Sequence, residues 1–493
     1  MADTFLAIDM GASSGRVMAG ILNDGKLSLE EIHRFDNGPV EKDGSLYWDI
    51  DNIFSELRIG IKKAAALHPE AKSIGIDTWG IDYVILKPDG SFARAPFNYR
   101  DSRTDGMPEK IFRIIPEKEL YARTGIQRLQ FNTLYQLVAH KEKYPEDFAE
   151  GNTMLLMPDA VAFWLCGDIS CEYTNATTTN LLNASSREWD WETIDALGLP
   201  RSFFPKLTPP STVVGKLRKE LADEFGIEQL EVCKVGSHDT ASAVAAVPAP
   251  RNQAWNYISC GTWALFGAEL DKPVLTEDAL KVSFTNEGGI CGKIRFLTNI
   301  IGMWLAQELR ADWSAQKGEK VPWKVVDTMA IESPGLKFVI DPNAREFLSP
   351  GDMAGKIRRF CERTGQGTPT DAETIRAVYD SLALCFREKM EKLSDFSGQN
   401  CRCLNIVGGG SNAKVLMRIV ADICNVDVIA GPVEATATGN ILSQAIARGM
   451  IGSLDEARDV VRASFTPVVY SVEDHDRAKY DVAYAKFCEL AGK

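Results

Sequence analysis

Four short stretches of the chain carry residue types that could act on a phosphorylated or hydroxylated ligand. The first is Asp9-x-Gly11-Ala12-Ser13-Ser14-Gly15-Arg16. Glycines there let backbone N–H groups approach phosphate oxygens, and the Ser13 and Ser14 hydroxyls and the Arg16 guanidinium add donors. Asp9 closes an apolar run and is the kind of residue that holds a Mg²⁺ bridging phosphates. The same stretch also reads as an ordinary Gly/Ser hairpin turn. Gly11-Ala-Ser13-Ser-Gly15 further fits the G-x-S-x-G nucleophile elbow, which must lead from a strand into a helix. Here Val17 to Leu22 is apolar and runs into Asn23-Asp24-Gly25, a hairpin signal, so the elbow is disfavoured.

The second stretch is Gly236-Ser237-His238-Asp239-Thr240-Ala241-Ser242, followed by small residues to Ala246. Three consecutive side chains cannot line up as a Ser-His-Asp relay. A carboxylate beside a histidine instead suits a general base with a neighbouring substrate contact, and the plain alternative is that Asp239 caps a helix. The third, Cys260-Gly261-Thr262, mirrors the first turn. The fourth, Gly408-Gly409-Gly410-Ser411-Asn412, would let adenine or ribose lie against the backbone. No P-loop spacing occurs anywhere, and the triple glycine lacks the G-x-G-x-x-G spacing.

The elements that must hold these stretches are legible around them. Phe5 to Asp9, Val17 to Leu22 and Leu27 to Phe35 read as three strands. Ile53, Leu57, Ile61 and Ala64 predict a helix over 51–67 with Asp51 as its cap, and Ser73 to Asp77 a buried strand. In the second half, Ala254 to Ser259 and Trp263 to Leu270 read as strands about the Gly261 turn. Ile375, Val378, Leu382, Phe386 and Leu393 mark a long helix, Cys403 to Val407 a strand, and Asn412 to Cys424 a helix. A strand–glycine turn–strand unit that recurs about 250 residues on predicts two related α/β domains. The prolines of Val247 to Asn252 mark the linker.

Composition narrows the function classes. Lys+Arg is 55 against Asp+Glu 68, a net charge of −13, which argues against a nucleic-acid binder but not against a small anion. The N-terminus shows no leader pattern and no apolar run reaches a membrane span, so the expectation is a soluble, cytoplasmic protein without a membrane partner. Eleven irregularly spaced Cys predict reduced thiols. The Cys401-x-Cys403 pair with five scattered His does not make a zinc site. Asn175-Ala-Thr177 and Asn183-Ala-Ser185 match the glycosylation sequon by chance.

Two phosphate-type turns, an acid between them and a late triple glycine, in this order, are far more specific than any one of them. The chain resembles the FGGY carbohydrate kinases, and among them most closely the rhamnulokinase branch. The resemblance is carried by IDMGASSGRVM at 8–18, GIDTWGIDYVIL at 75–86, YRDSRT at 99–104, GSHDTASAV at 236–244, SCGTWALFG at 259–267, NIIGMWLAQ at 299–307 and NIVGGGSNA at 405–413. It implies an α/β fold of two actin/hexokinase-like (ribonuclease H-like) domains, placed at 1–246 and 253–493, with an ATP and sugar cleft between them. It implies Asp239 as catalytic base. It implies ATP contacts at Ala12, Ser13, Ser14, Gly15, Arg16, Thr262, Gln307 and Gly409, and sugar contacts at Gly80, His238 and Asn299. Asp9 would hold Mg²⁺.

The implied reaction moves the γ-phosphate of ATP to the C1 hydroxyl of a ketose, L-rhamnulose foremost. Alternatives are another ketose such as L-fuculose, or an actin-like switch ATPase without a sugar site. Because the implied contacts fall on both sides of residue 247, the two ligands are expected to favour closure and to strengthen each other's binding reciprocally. Trp79 and Tyr83 are either an apolar face for a deoxy sugar or core residues. Oligomeric state and the stretch after Gly452 carry no readable signal.

Overall fold

The computed structural model describes residues 2–228, 230–251 and 253–492. Asn252, the end of the expected linker, lies outside them. The chain opens with β1 (Asp3–Met10), β2 (Ser14–Asn23) and β3 (Lys26–Asp36), followed by α1 (Ile50–Leu67) and β4 (Ser73–Thr78). Next among the principal elements are β5 (Thr212–Lys216), β6 (Glu231–His238) and the short α2 (Asp239–Ala245). The second half brings β7 (Asn256–Cys260), β8 (Trp263–Leu270), β9 (Thr285–Gly288), β10 (Ile294–Ile301), α3 (Trp304–Lys317) and α4 (Asp371–Ser397). It ends with β11 (Cys403–Val407), α5 (Lys414–Cys424), β12 (Asp427–Ala430), α6 (Ala435–Ala447), α7 (Leu454–Ser464), β13 (Val468–Tyr470) and α8 (Arg477–Leu490).

Six strands form one sheet in the order β5-β6-β4-β1-β2-β3. The neighbours β6, β4 and β1 are parallel and the flanking pairs antiparallel. Buried on both faces, such central strands need continuous apolar sequence, and β1 is buried from Thr4 through Met10. A second sheet contains the order β10-β8-β7-β11-β12-β13, with β7, β11 and β12 parallel. The repeat suggested by the glycine turns is therefore a repeat of strand order.

Local signals fare well, with shifts of a few residues. Ile53, Leu57, Ile61 and Ala64 are buried along one face of α1 as their spacing predicts. The cap is Asp49, whose carboxylate accepts from the Asn52 amide at 3.0 Å. Asp51 sits instead in the first turn, where its charge complements the helix dipole. In the long α4, Ile375, Val378, Leu382, Phe386 and Leu393 are all buried, and Thr370 with Glu373 forms a capping box at its start. After β11 the residues Gly409–Asn412 make a single tight turn, so α5 starts only at Lys414.

The chain divides into two compact units that exchange segments. One comprises Met1–Pro248, Glu269–Leu297 and Ala435–Ser464; the other comprises Ala249–Ala268, Thr298–Glu434 and Phe465–Lys493. Polar side chains of α6 explain why that helix belongs to the first unit. The Gln444 amide donates to the Leu6 carbonyl at 2.8 Å and accepts from Ser73 Oγ at 2.7 Å. On α7, Arg458 grips Glu269 with both Nη atoms, at 3.0 and 2.9 Å. The stretch after Gly452, unreadable in sequence, thus supplies a nearly buried bidentate ion pair. Among the described residues no helix is long and apolar enough to cross a membrane.

Candidate active site

In the first unit the chemistry-bearing residues gather where parallel strands end, the usual place for ligands of open α/β sheets. Asp9 on β1 stands opposite Asp77 on β4, and His238 at the end of β6 stands opposite Thr78. Arg16, facing Asp9 across the β1–β2 hairpin, donates to its carboxylate at 2.5 Å. Asp77 is fully buried; Asn440 of α6 donates to its Oδ2 at 2.6 Å, and its Oδ1 has no hydrogen-bond partner among the described residues. Burial, then the charge of Asp9 and more weakly that of Asp239, hold the Asp77 carboxyl well above its ordinary range. Sequence reasoning assigned Asp77 no role, because nothing local shows that β1 and β4 are neighbours.

The turn from β1 to β2 is strand to strand, so the nucleophile elbow has no helix to stand on. Asn37 braces the turn: its side chain donates to the Gly11 carbonyl at 2.9 Å and its amide to the Ser13 carbonyl at 3.1 Å. Ser13 is exposed at the tip, Ala12 and Ser14 are half-buried, and Gly15 is buried. With its carbonyls tied back, the tip has the build of an anion-binding hairpin.

Asp239 is the first residue of α2; His238 occupies the cap position and makes no side-chain cap bond, so Asp239 is not a helix cap. Its carboxylate is 32% exposed, accepts from Thr240 Oγ1 at 2.9 Å, and has His238 Nε2 at 3.5 Å. An accessible carboxylate beside an imidazole is what a general base requires. His238 in turn rests on buried charge: Arg295 and Glu287 both approach its Nδ1, at 3.0 and 3.2 Å. Burial opposes ionisation of Glu287, but the adjoining Arg295 and His238 together outweigh it and hold the carboxyl below its ordinary range.

The fully buried Asn175 side chain joins the two sugar candidates of this unit, donating to the Trp79 and Ser237 carbonyls at 3.3 Å each. Gly80 follows the first of these and His238 the second, and burial closes the Asn175 sequon to glycosylation. Trp79 and Tyr83 are core residues: the Trp79 ring packs against Trp48 at 4.2 Å, tilted by 37°, and Tyr83 bonds His140 at 3.0 Å. Beyond Gly80, Ile81 adopts a left-handed φ of 70°. This costs a β-branched residue about 1–3 kcal/mol. Thr178 Oγ1 accepts from its amide at 3.1 Å, and Thr133 Oγ1 donates to its carbonyl at 2.6 Å.

Asp82 anchors this loop, accepting from Trp48 and Trp79 indoles at 2.6 and 3.1 Å and from the Gln136 amide at 2.9 Å. Burial pushes its carboxyl up to about 6, against those hydrogen bonds. The folded protein therefore keeps a proton that an unfolded chain loses near about 3.9. The associated stability is full below about pH 4 and is lost as pH rises through about 6. Relative to Asp82→Asn, wild-type stability to urea should fall by on the order of 2–3 kcal/mol between about pH 4 and 7. A difference that does not change with pH would show that Asp82 is ionised when folded.

The second unit carries its own constellation. The Gly261-Thr262 turn is tied by the Gly302 amide to the Thr262 carbonyl at 3.0 Å and by the Met303 amide to the Gly261 carbonyl at 2.9 Å. Thr262 Oγ1 donates to Gln307 Oε1 at 3.2 Å, so these two candidates meet. The three late glycines differ in role. Gly408 has a φ of 84°, and a Cβ on Gly410 would stand 2.3 Å from Cys260 Sγ, whereas Gly409 is exposed with open space beside it. Asn299 is half-buried on β10.

The description "FGGY family of carbohydrate kinases, N-terminal domain" matches residues 4–246, and its C-terminal counterpart matches residues 256–448. Residues 247–255, which include the proline segment, lie between the two matches. The rhamnulokinase of Halalkalibacterium halodurans is 40% identical over 474 residues, 96% of this chain and 99% of its own. That of Oceanobacillus iheyensis is 39% identical over 468 residues, 94% of this chain and 98% of its own. The crystal structure of gluconate kinase from Lactobacillus acidophilus superposes with a TM-score of 0.82 at 16% identity, covering 100% of this chain and 98% of that one, which establishes the fold. With both halves matched in order and both glycine turns at strand ends, the chain belongs to the FGGY family of carbohydrate kinases.

Proposed function

We propose that the protein transfers the γ-phosphate of ATP to the C1 hydroxyl of L-rhamnulose, giving L-rhamnulose 1-phosphate and ADP. The observation that carries this is identity of 39–40% to rhamnulokinases over nearly the whole chain. In the reaction the bond from the γ-phosphorus to the β–γ bridging oxygen breaks, a bond to the sugar oxygen forms, and Asp239 takes the hydroxyl proton. Its partial exposure supports that role, and Gly80 and His238, tied together through Asn175, would orient the sugar. Ala12 to Arg16 would cradle phosphate oxygens. In the second unit, Thr262, Gln307 and Gly409 would bind nucleotide, and Asn299 sugar.

Donors suited to Mg²⁺ are present. Asp9 neighbours the Asp77 carboxyl, whose Oδ1 has no hydrogen-bond partner, and no larger ligand cluster of acids, His or Cys forms among the described residues. That matches a cation that takes one or two carboxylates and completes its shell with water and substrate phosphate. Asp9 would hold it, and when bound it neutralises charge on the β and γ phosphates.

A panel of ketoses with ATP and Mg²⁺, read by ADP release and by ³¹P NMR of the sugar phosphate, tests the reading. The expected result is the highest kcat/KM on L-rhamnulose, with the phosphate on C1. A preference for L-fuculose would move the substrate assignment. ADP release indifferent to every ketose would point to a switch ATPase.

A further inference from the structure

We propose that Arg295 and Glu287 are positioning residues for His238, fixing its neutral imidazole with the proton on Nε2, the nitrogen turned to Asp239. The inference rests on the proposed function in taking His238 and Asp239 as sugar contact and base. Glu287 on β9 and Arg295 on β10 are direct cross-strand partners, so both side chains leave the hairpin on one face. Arg295 is fully buried, and its Nε donates to the Gly288 carbonyl at 2.8 Å, which holds the guanidinium plane. Its Nη2 then stands 3.0 Å from His238 Nδ1 and 3.1 Å from Glu287 Oε2.

The chemistry of these groups selects one tautomer. A guanidinium only donates, so the Nδ1 facing it must present its lone pair, and the ring proton resides on Nε2. The competing arrangement, Nδ1–H pointed at Glu287, would set an N–H against the guanidinium. Glu287 Oε2 lies 3.2 Å from Nδ1 and 3.1 Å from Arg295 Nη2, yet makes no aligned hydrogen bond among the described residues. Glu287 acts as the counter-charge that lets Arg295 stay buried. On its other side the ring offers Nε2, 3.5 Å from Asp239 Oδ1, so an Nε2–H donor is held toward the base and the sugar.

The test is ¹⁵N NMR of the imidazoles in the full-length protein; the chain has five His, and His238→Asn assigns the signal. At neutral pH the wild type should show His238 as the neutral Nε2–H tautomer. Arg295→Lys and Glu287→Gln should each mix the tautomers. Each should raise KM for the ketose about tenfold, the size of one misplaced hydrogen bond, with KM for ATP unchanged. A wild-type His238 protonated on Nδ1 overturns the proposal whether or not the variants fold. So do variants that keep the wild-type tautomer and sugar KM. The wild-type signal needs no turnover: a chain that phosphorylates no ketose yet shows the expected tautomer would overturn the functional reading alone.

Discussion

Asp239→Asn should lower kcat by about 10²–10⁴, the usual contribution of a general base, while leaving the fold and nucleotide binding in place. The substitution is nearly isosteric, and Asn can still accept the bond from Thr240 Oγ1 that the carboxylate accepts at 2.9 Å. What it removes is the lone pair that takes the sugar proton and one negative charge near Asp77. Because the Asp239 charge contributes to holding the Asp77 carboxyl above its ordinary range, the variant should bring that carboxyl down somewhat. Steady-state kinetics with calorimetric ATP binding on the same preparation decides the matter. If more than about a tenth of wild-type turnover survives, the base lies elsewhere.

Gly439→Ala should be among the most damaging single-methyl changes this chain can accept. A Cβ at Gly439 of α6 would stand 1.8 Å from the Ser242 carbonyl oxygen and 2.5 Å from its carbon, both backbone atoms of α2. No rotamer change relieves a clash with backbone, so the helices must part. The expected loss is about 3 kcal/mol or more in urea unfolding, the upper end of overpacking costs. Ser242 is one helical turn beyond Asp239, and its Oγ donates to the Gly236 carbonyl at 2.7 Å. Activity should therefore fall together with stability. Gly38→Ala, with open space around the new methyl, is the control and should change stability by no more than about 0.5 kcal/mol. Equal stabilities for the two variants would show that α6 and α2 do not pack this closely.

Much of the candidate site is legible in the sequence because its signals are local. A glycine turn between two apolar runs identifies a hairpin whatever else the chain does, and the order of Asp9-x-Gly11, Asp239, Gly261-Thr262 and Gly408–Gly410 identified the family. Where local reasoning slipped, the cause was also local competition. Asp49 and Asp51 can both cap a helix, and only the former has its carboxylate on the Asn52 amide. Trp79 and Tyr83 could have faced a sugar or the core. Partners distant in sequence decided for the core: Trp48 for one, His140 for the other.

By itself the sequence determined the fold family, the paired strand–turn–strand units, the helix faces and the candidate base. Each of these depends on spacing within about 20 residues or on motif order. Only the tertiary structure decided which carboxylates share a strand end and which buried charges stand behind His238. Asp77 becomes a neighbour of Asp9 through strand pairing, and Asn440, more than 300 residues on, donates to its carboxylate. Arg295 and Glu287 reach His238 only because their hairpin belongs to the first unit although the chain has already entered the second. Arg458 and Glu269 pair for the same reason. Such contacts leave no periodicity and no turn signal behind. Their residue types are ordinary surface types, and burial, which converts them from solvated charges into fixed partners, is a property of the folded chain alone.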